Sequence, residues 1–149
     1  MRNLNLENEF TVDSLKKIKN DAFSSLFNLS SNPKFIMEMD SGKITHINES
    51  FSRSFGYDAK SLKKLNEDEF WVGDNFKTKW LEELLNKGSI VEFPAYFYDF
   101  SGEIRSVLLY SAISKNDDLD IIITEIVDNT EKEKIATNLQ STILKLNDA

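Results

Sequence analysis

The chain of 149 residues contains no cysteine. That excludes disulfides, thiolate metal sites and thiol nucleophiles, and it accords with a reducing compartment. Histidine occurs once, at His46. A transition-metal site would therefore need mostly carboxylates, and the sequence offers no such constellation. Long hydrophobic runs are missing: no segment approaches a membrane span. The N-terminus lacks the basic start and apolar core of a secretory signal. Positive charge is in deficit, with 18 Lys and Arg against 25 Asp and Glu and a formal net charge of -7. This argues against a nucleic-acid surface and against attraction to anionic lipid. No phosphate-binding glycine loop and no Ser-His-Asp set appears. The expectation is a cytoplasmic, non-enzymatic protein with no nucleic-acid partner and no membrane insertion.

What is present reads as one domain with helical additions. Val12, Leu15, Ile18, Ala22, Leu26 and Leu29 fall on one helical face, broadened by Phe23 and Phe27, with Thr11 or Asp13 as a cap and Pro33 as the stop. Residues 34–40 alternate as a strand. Ser41 and Gly42 supply a turn, and 44–47 form the return strand. Asn48 is a good N-cap for a helix over 49–54 that ends near Gly56. Residues 61–69 look like a short helix or turn, in which Glu67, Asp68 and Glu69 form a solvated carboxylate cluster. A clear helix covers 74–87, with Phe76, Trp80, Leu81, Leu84 and Leu85 on one side and Gly88 at its end. Strand-like runs follow at 90–100, 104–113 and 119–127, separated by Ser101-Gly102 and Asn116-Asp117-Asp118, which implies an antiparallel meander. Pro94 marks its strand as an edge or as bulged. The final helix begins at Glu131 and carries a stripe of Ile135, Leu139, Ile143 and Leu146. Asp128 with Glu131, or Thr130 with Glu133, has the spacing of a capping box.

Two stretches carry a family resemblance. The run KFIMEMDSGKITHINESFSRSFGY at 34–57 packs strand, turn, strand and short helix together, and Asp128-Asn129-Thr130-Glu131 follows the last strand. Together they resemble the start and the end of a PAS domain, a sensor module, over roughly residues 31–131. The resemblance implies an α+β fold, a five-stranded antiparallel sheet with helices on one face. It also implies a division into an N-terminal helical extension (1–30), a PAS core (31–127) and a C-terminal signalling helix (128–149). The expected role is sensing a small ligand or a partner and transmitting the change to a histidine kinase or a cyclic-dinucleotide enzyme. A homodimer is expected. The alternatives are a ligand-free dimerisation or interaction module and, more remotely, a small cone-like α+β enzyme.

By the same resemblance Asn48, Phe51, Phe55, Trp80 and Leu109 are candidate pocket residues, and Asp128, Thr130 and Glu131 form the signalling junction. Covalent chromophores that need a cysteine are excluded. Haem is disfavoured, because the 74–87 helix that would supply its ligand holds no histidine. A non-covalent flavin, flanked by Trp71 and Trp80, or a small metabolite remains open as the cofactor. Large side chains at Phe35, Phe51, Phe55, Trp80 and Phe97 could instead fill the cup. The last two strands are apolar on both faces, so a cover is expected over the outer one: residues 12–29 against Leu108, Tyr110 and Ile123, or a second copy of the chain.

Overall fold

The computed structural model describes residues 12–62, 69–115 and 118–147. Its elements are α1 (Val12–Leu29), β1 (Lys34–Glu38), β2 (Ile44–Ile47), α2 (Glu49–Phe55), α3 (Ala59–Leu62), α4 (Asp74–Lys87), β3 (Ser89–Tyr98), β4 (Ile104–Ser114), β5 (Ile121–Asp128) and α5 (Thr130–Asn147). Thr11, Glu67, Asp68, Asn116 and Asp117 lie outside the described residues, as do the side chains of Val12, Asp13, Leu15 and Ile18.

The strands form one antiparallel sheet in the order β2-β1-β5-β4-β3. The expected α+β architecture is therefore present. Two local signals set its ends. The β1–β2 turn closes on Gly42 at φ 71°, whose N–H donates to the Glu38 carbonyl at 3.0 Å. Helix α2 ends on Gly56 at φ 82°, where a Cβ would meet the Phe100 Cβ at 3.1 Å. Only glycine satisfies both the backbone and that approach. The central pairing is non-local: Phe35 faces Thr124 and Ile36 faces Ile123, so the first strand and the last lie side by side.

Alternation assigns the faces. Val107, Leu109 and Ser111 of β4 and Ile122, Thr124 and Ile126 of β5 are buried on the inner face. Helices α2 and α4 close that face with Phe51, Phe55, Trp80 and Leu84, which join Phe35, Phe70 and Phe97 in one core. Ring centroids lie 5.1 Å apart for Phe51–Phe55, 5.3 Å for Phe51–Phe70 and 6.0 Å for Phe70–Phe97. Truncating one such ring to Ala typically costs about 3–5 kcal/mol, so this cluster dominates the stability of the domain.

Several sequence expectations are corrected. Strand β3 stops at Tyr98 rather than at 100, because Asp99 turns the chain: its N–H meets the Glu103 carbonyl at 2.9 Å. Strand β5 begins at Ile121 rather than at 119. Strand β3 is an edge of the sheet, as Pro94 implied, and it also carries a bulge just before that proline, between Ile90 and Phe93, where Glu92 takes φ 55°. On the outer face the described side chains of α1 meet one of the three residues expected beneath the helix, Ile123. Leu108, Tyr110 and Ile123 are half-buried. The described end of α1 lies over the β2-β1-β5 side, where Phe23 and Phe27 share a cleft of about 770 Å³ with Ile36, Ile121 and Ile123. Leu108 and Tyr110 do not line that cleft. Phe27 is buried, but Phe23, Leu26 and Leu29 are exposed. The chain leaves α1 through Asn32 and Pro33 toward β1, and this short link keeps the helix end beside β1 and β2.

The link is fastened by Asn48, which is 1% exposed. Its Oδ1 accepts from the N–H of Phe51, capping α2, and from the N–H of Lys34, both at 2.9 Å. Its Nδ2 donates to the carbonyls of Phe27 and Asn32, both at 2.9 Å. The amide thus uses both acceptor sites and both donors. Asn48→Ala would leave buried partners unpaired and is expected to lower stability by about 2–4 kcal/mol, well above the roughly 1 kcal/mol of an ordinary lost cap. Asn48→Asp keeps the cap but turns the donor pair against two carbonyl oxygens, so it should also destabilise. Urea melts of the two variants beside the wild type check this; a loss near 1 kcal/mol in both would reduce Asn48 to a simple cap.

Candidate functional site

Two regions follow from the fold: the cup between the inner sheet face and α2/α4, and the junction from β5 into α5. In the cup, Phe51, Phe55, Trp80 and Leu109 are at most 2% exposed. They are packed against protein on all sides. Asn48 stands at the rim with its hydrogen-bonding capacity used by the chain itself. Trp71 and Trp80 touch, with ring centroids 5.3 Å apart and planes at 51°, so they do not form a parallel-walled slot. A polar cluster deep in the cup carried no signal in the sequence. Trp80 Nε1 donates to Ser111 Oγ at 3.0 Å, and Ser111 and Thr124 share a 2.9 Å bond between hydroxyls. Only the strand register reveals that these side chains meet. His46 is exposed on β2 and bonds its neighbour Thr45 at 3.0 Å. Among the described residues no group of three or more His, Cys, Asp or Glu could hold a metal ion.

The junction is built from polar contacts. The Thr130 N–H donates to Asp128 Oδ1 at 2.9 Å, and the Thr130 hydroxyl donates to the same oxygen. Thr130 Oγ1 also accepts from the Ser106 N–H of β4 at 3.0 Å. The first helical bond runs from the Glu133 N–H to the Asn129 carbonyl at 3.0 Å. Asn129 therefore occupies the cap position, with Asp128 and Thr130 on either side of it. Neither expected capping box forms. Glu133 instead turns to β3 and accepts from the Tyr96 hydroxyl at 2.8 Å. Hydrogen bonds from the Ser106 and Tyr96 hydroxyls hold its carboxyl below the ordinary value. Glu131 is exposed.

Arg105 ties this junction to the β3–β4 turn. Its Nε meets Asp99 Oδ2 at 3.2 Å and its guanidinium NH1 meets Asp128 Oδ2 at 3.0 Å. Asp99 is buried, and its Oδ1 accepts from Ser101 Oγ and from the Glu103 N–H. The Ser101 hydroxyl first, then the Glu103 amide and Arg105, hold the Asp99 carboxyl below its ordinary value against the opposing effect of burial.

A family model described as the PAS domain matches residues 31–131, and the chain belongs to that family. Solved structures agree on the fold. The PAS domain of a two-component sensor histidine kinase superposes with TM-score 0.66 at 18% identity, covering 76% of this chain and 98% of that one. A domain of a sensory box sensor histidine kinase/response regulator from Geobacter sulfurreducens gives 0.60 at 16%, covering 78% and 97%. An RNA-binding light-oxygen-voltage receptor gives 0.67 at 15%, covering 90% of this chain and 38% of that one. A comparison with curated proteins finds no match. The sensory-domain class is thus shared. Among the described residues no helix is long and apolar enough to cross a membrane.

The charge arrangement at Asp99 has a pH signature. Its folded pKa lies below the unfolded one, so its contribution is present above the unfolded carboxylate value and is lost as pH falls through the folded value. Urea midpoints of the wild type should decline below about pH 4. Asp99→Asn should be less stable at neutral pH and should converge with the wild type at the acid end. Parallel curves would show that Asp99 is not held in this way.

Proposed function

We propose that the chain is the sensory module of a signal-transduction protein, which registers a small ligand or a partner at the cup and transmits the change through α5. The observation that carries this reading is the contrast within α5. Its first turn is held by Asp128, Thr130 and Glu133. Beyond it no residue of the helix is buried, and Ile135, Leu139, Ile143 and Leu146 are 50–71% exposed. Most helical stability in proteins comes from packing of an amphipathic face, and an apolar stripe in the open favours a packing partner. A second copy of the chain, pairing through α5, supplies one. A histidine kinase or a cyclic-dinucleotide enzyme is the proposed recipient of the signal. The names of two structural relatives, both sensor histidine kinases, support the first of these.

The filled cup favours a second reading alongside it, a ligand-free interaction module. In the ligand-bound version Phe51, Phe55, Trp80 and Leu109 are the side chains that a ligand would displace or meet. Native mass spectrometry of freshly purified protein separates the two: a stoichiometric small-molecule adduct supports a ligand site, and a bare polypeptide mass supports the interaction module.

Pairing is tested by sedimentation of the wild type beside the Leu139→Lys, Ile143→Lys double variant. Each buried Leu or Ile contributes about 1.5–3 kcal/mol, so the variant should associate roughly a hundredfold more weakly or worse. A wild type that stays monomeric at high concentration, or a variant that dimerises equally well, removes α5 from the interface.

A further inference from the structure

Tyr96 is where the cup side and the outgoing helix meet by direct contact. It lies on β3, opposite Ser106 of β4. Its carbonyl accepts from the Val72 N–H at 3.0 Å, just before α4. Its ring meets that of Phe76, in the first turn of α4, edge-on at 5.7 Å and 74°. Its hydroxyl donates to Glu133, in the first turn of α5. Helix α4 is the wall of the cup: Trp80 and Leu84, one and two turns beyond Phe76, are 1% and 0% exposed. Anything that shifts Trp80 therefore tilts the helix that carries Phe76.

From this geometry we infer that Tyr96 is a coupling residue, reading the position of α4 through Phe76 and setting the hold on α5 through Glu133. The route passes around the edge of the sheet. It is separate from the Asp99–Arg105–Asp128 chain, which acts at the opposite side of the junction. The two ends of Tyr96 do different jobs. The ring is apolar and answers to displacement of Phe76. The hydroxyl is directional, and a hydrogen bond weakens steeply once its angle falls below about 120° or its partners separate. A shift of the ring that carries the hydroxyl away from Glu133 therefore weakens that contact. The partner groups fit this use: Thr130 is held separately, by the Ser106 N–H at 3.0 Å, so release of Glu133 loosens the first turn while Thr130 remains attached. The inference rests on α5 being the output element.

The test is a double-mutant cycle read by hydrogen exchange of the amides at 134–137, in the whole chain without added ligand. Tyr96→Phe keeps the ring and removes the bond. Phe76→Leu keeps the apolar bulk and removes the ring contact. Each should speed exchange in the first turns of α5 by about fivefold, the size expected for one lost hydrogen bond, while β5 amides keep their rates. The combined variant should be no faster than Tyr96→Phe alone, because the bond that Phe76 supports is already gone. Glu133→Gln, which keeps an acceptor, should retain part of the protection that Glu133→Ala loses. Independent effects that multiply, no response to Phe76→Leu, or a wild type whose 134–137 amides exchange at random-coil rates would each overturn the proposal. Loss of dimerisation through α5 would count against the output reading and leave the cycle's outcome unaffected.

Discussion

One side chain decides how the chain enters its sheet. The amide of Asn48 joins the end of α1, the following turn, the start of β1 and the start of α2 through four bonds of 2.9 Å. A buried amide costs a great deal if left unpaired and stabilises only when every group is matched. Asn48 therefore accepts one arrangement of its four partners. Strand β1 is the second strand from one edge and pairs with both β2 and β5, so its placement governs the register of that half of the sheet. The aromatic core supplies more free energy than Asn48 does, but apolar contacts tolerate sliding in a way that hydrogen bonds do not.

At the other end of the chain the same logic recurs with charge added. Arg105 and Ser106, neighbours on β4, reach to Asp99, Asp128, Thr130 and Glu133. Both ends of the PAS core are thus fastened by short polar side chains. The space between them is filled by rings. The division suits a domain whose two terminal helices project from a stable body. Each helix is anchored at its junction, and both present apolar residues outward, Leu26 and Leu29 on α1 and the α5 stripe on the other.

Much of this was legible from local pattern. The turn at Gly42, the cap at Asn48 and the helix stops at Gly56 and Gly88 all rest on neighbours within a few residues, and each appears where expected; the strands are present with ends shifted by a residue or two. What local pattern missed were the partners across the sheet. The cap role of Asn48 could be read from sequence, yet its bonds to Phe27, Asn32 and Lys34 depend on how α1 returns to β1. The spacing of Thr130 and Glu133 suggested a capping box. The cap falls on Asn129 instead, and the position of Tyr96 on β3 brings its hydroxyl to Glu133. Ser111 and Thr124 carry no local signal, and only the β4–β5 register sets them face to face. The doubly apolar strands did signal an outer face in need of cover, but nothing local told how far α1 extends across it.

The β3 margin of the sheet carries a consequence for how copies of this domain can meet. Its outward backbone groups are partly taken: Phe97 bridges to Trp71, Val72 donates to Tyr96, and Tyr98 donates to Phe70. Further along, the bulge at Glu92 bends the strand and Pro94 has no N–H to offer. A strand from a neighbouring molecule would find few free groups in register and a kinked template. Strand-to-strand extension at this margin, the usual path from β proteins to fibres, is thereby disfavoured by the edge itself. Contacts between molecules at this margin are left to side chains, where they can be reversible and can be chosen by sequence.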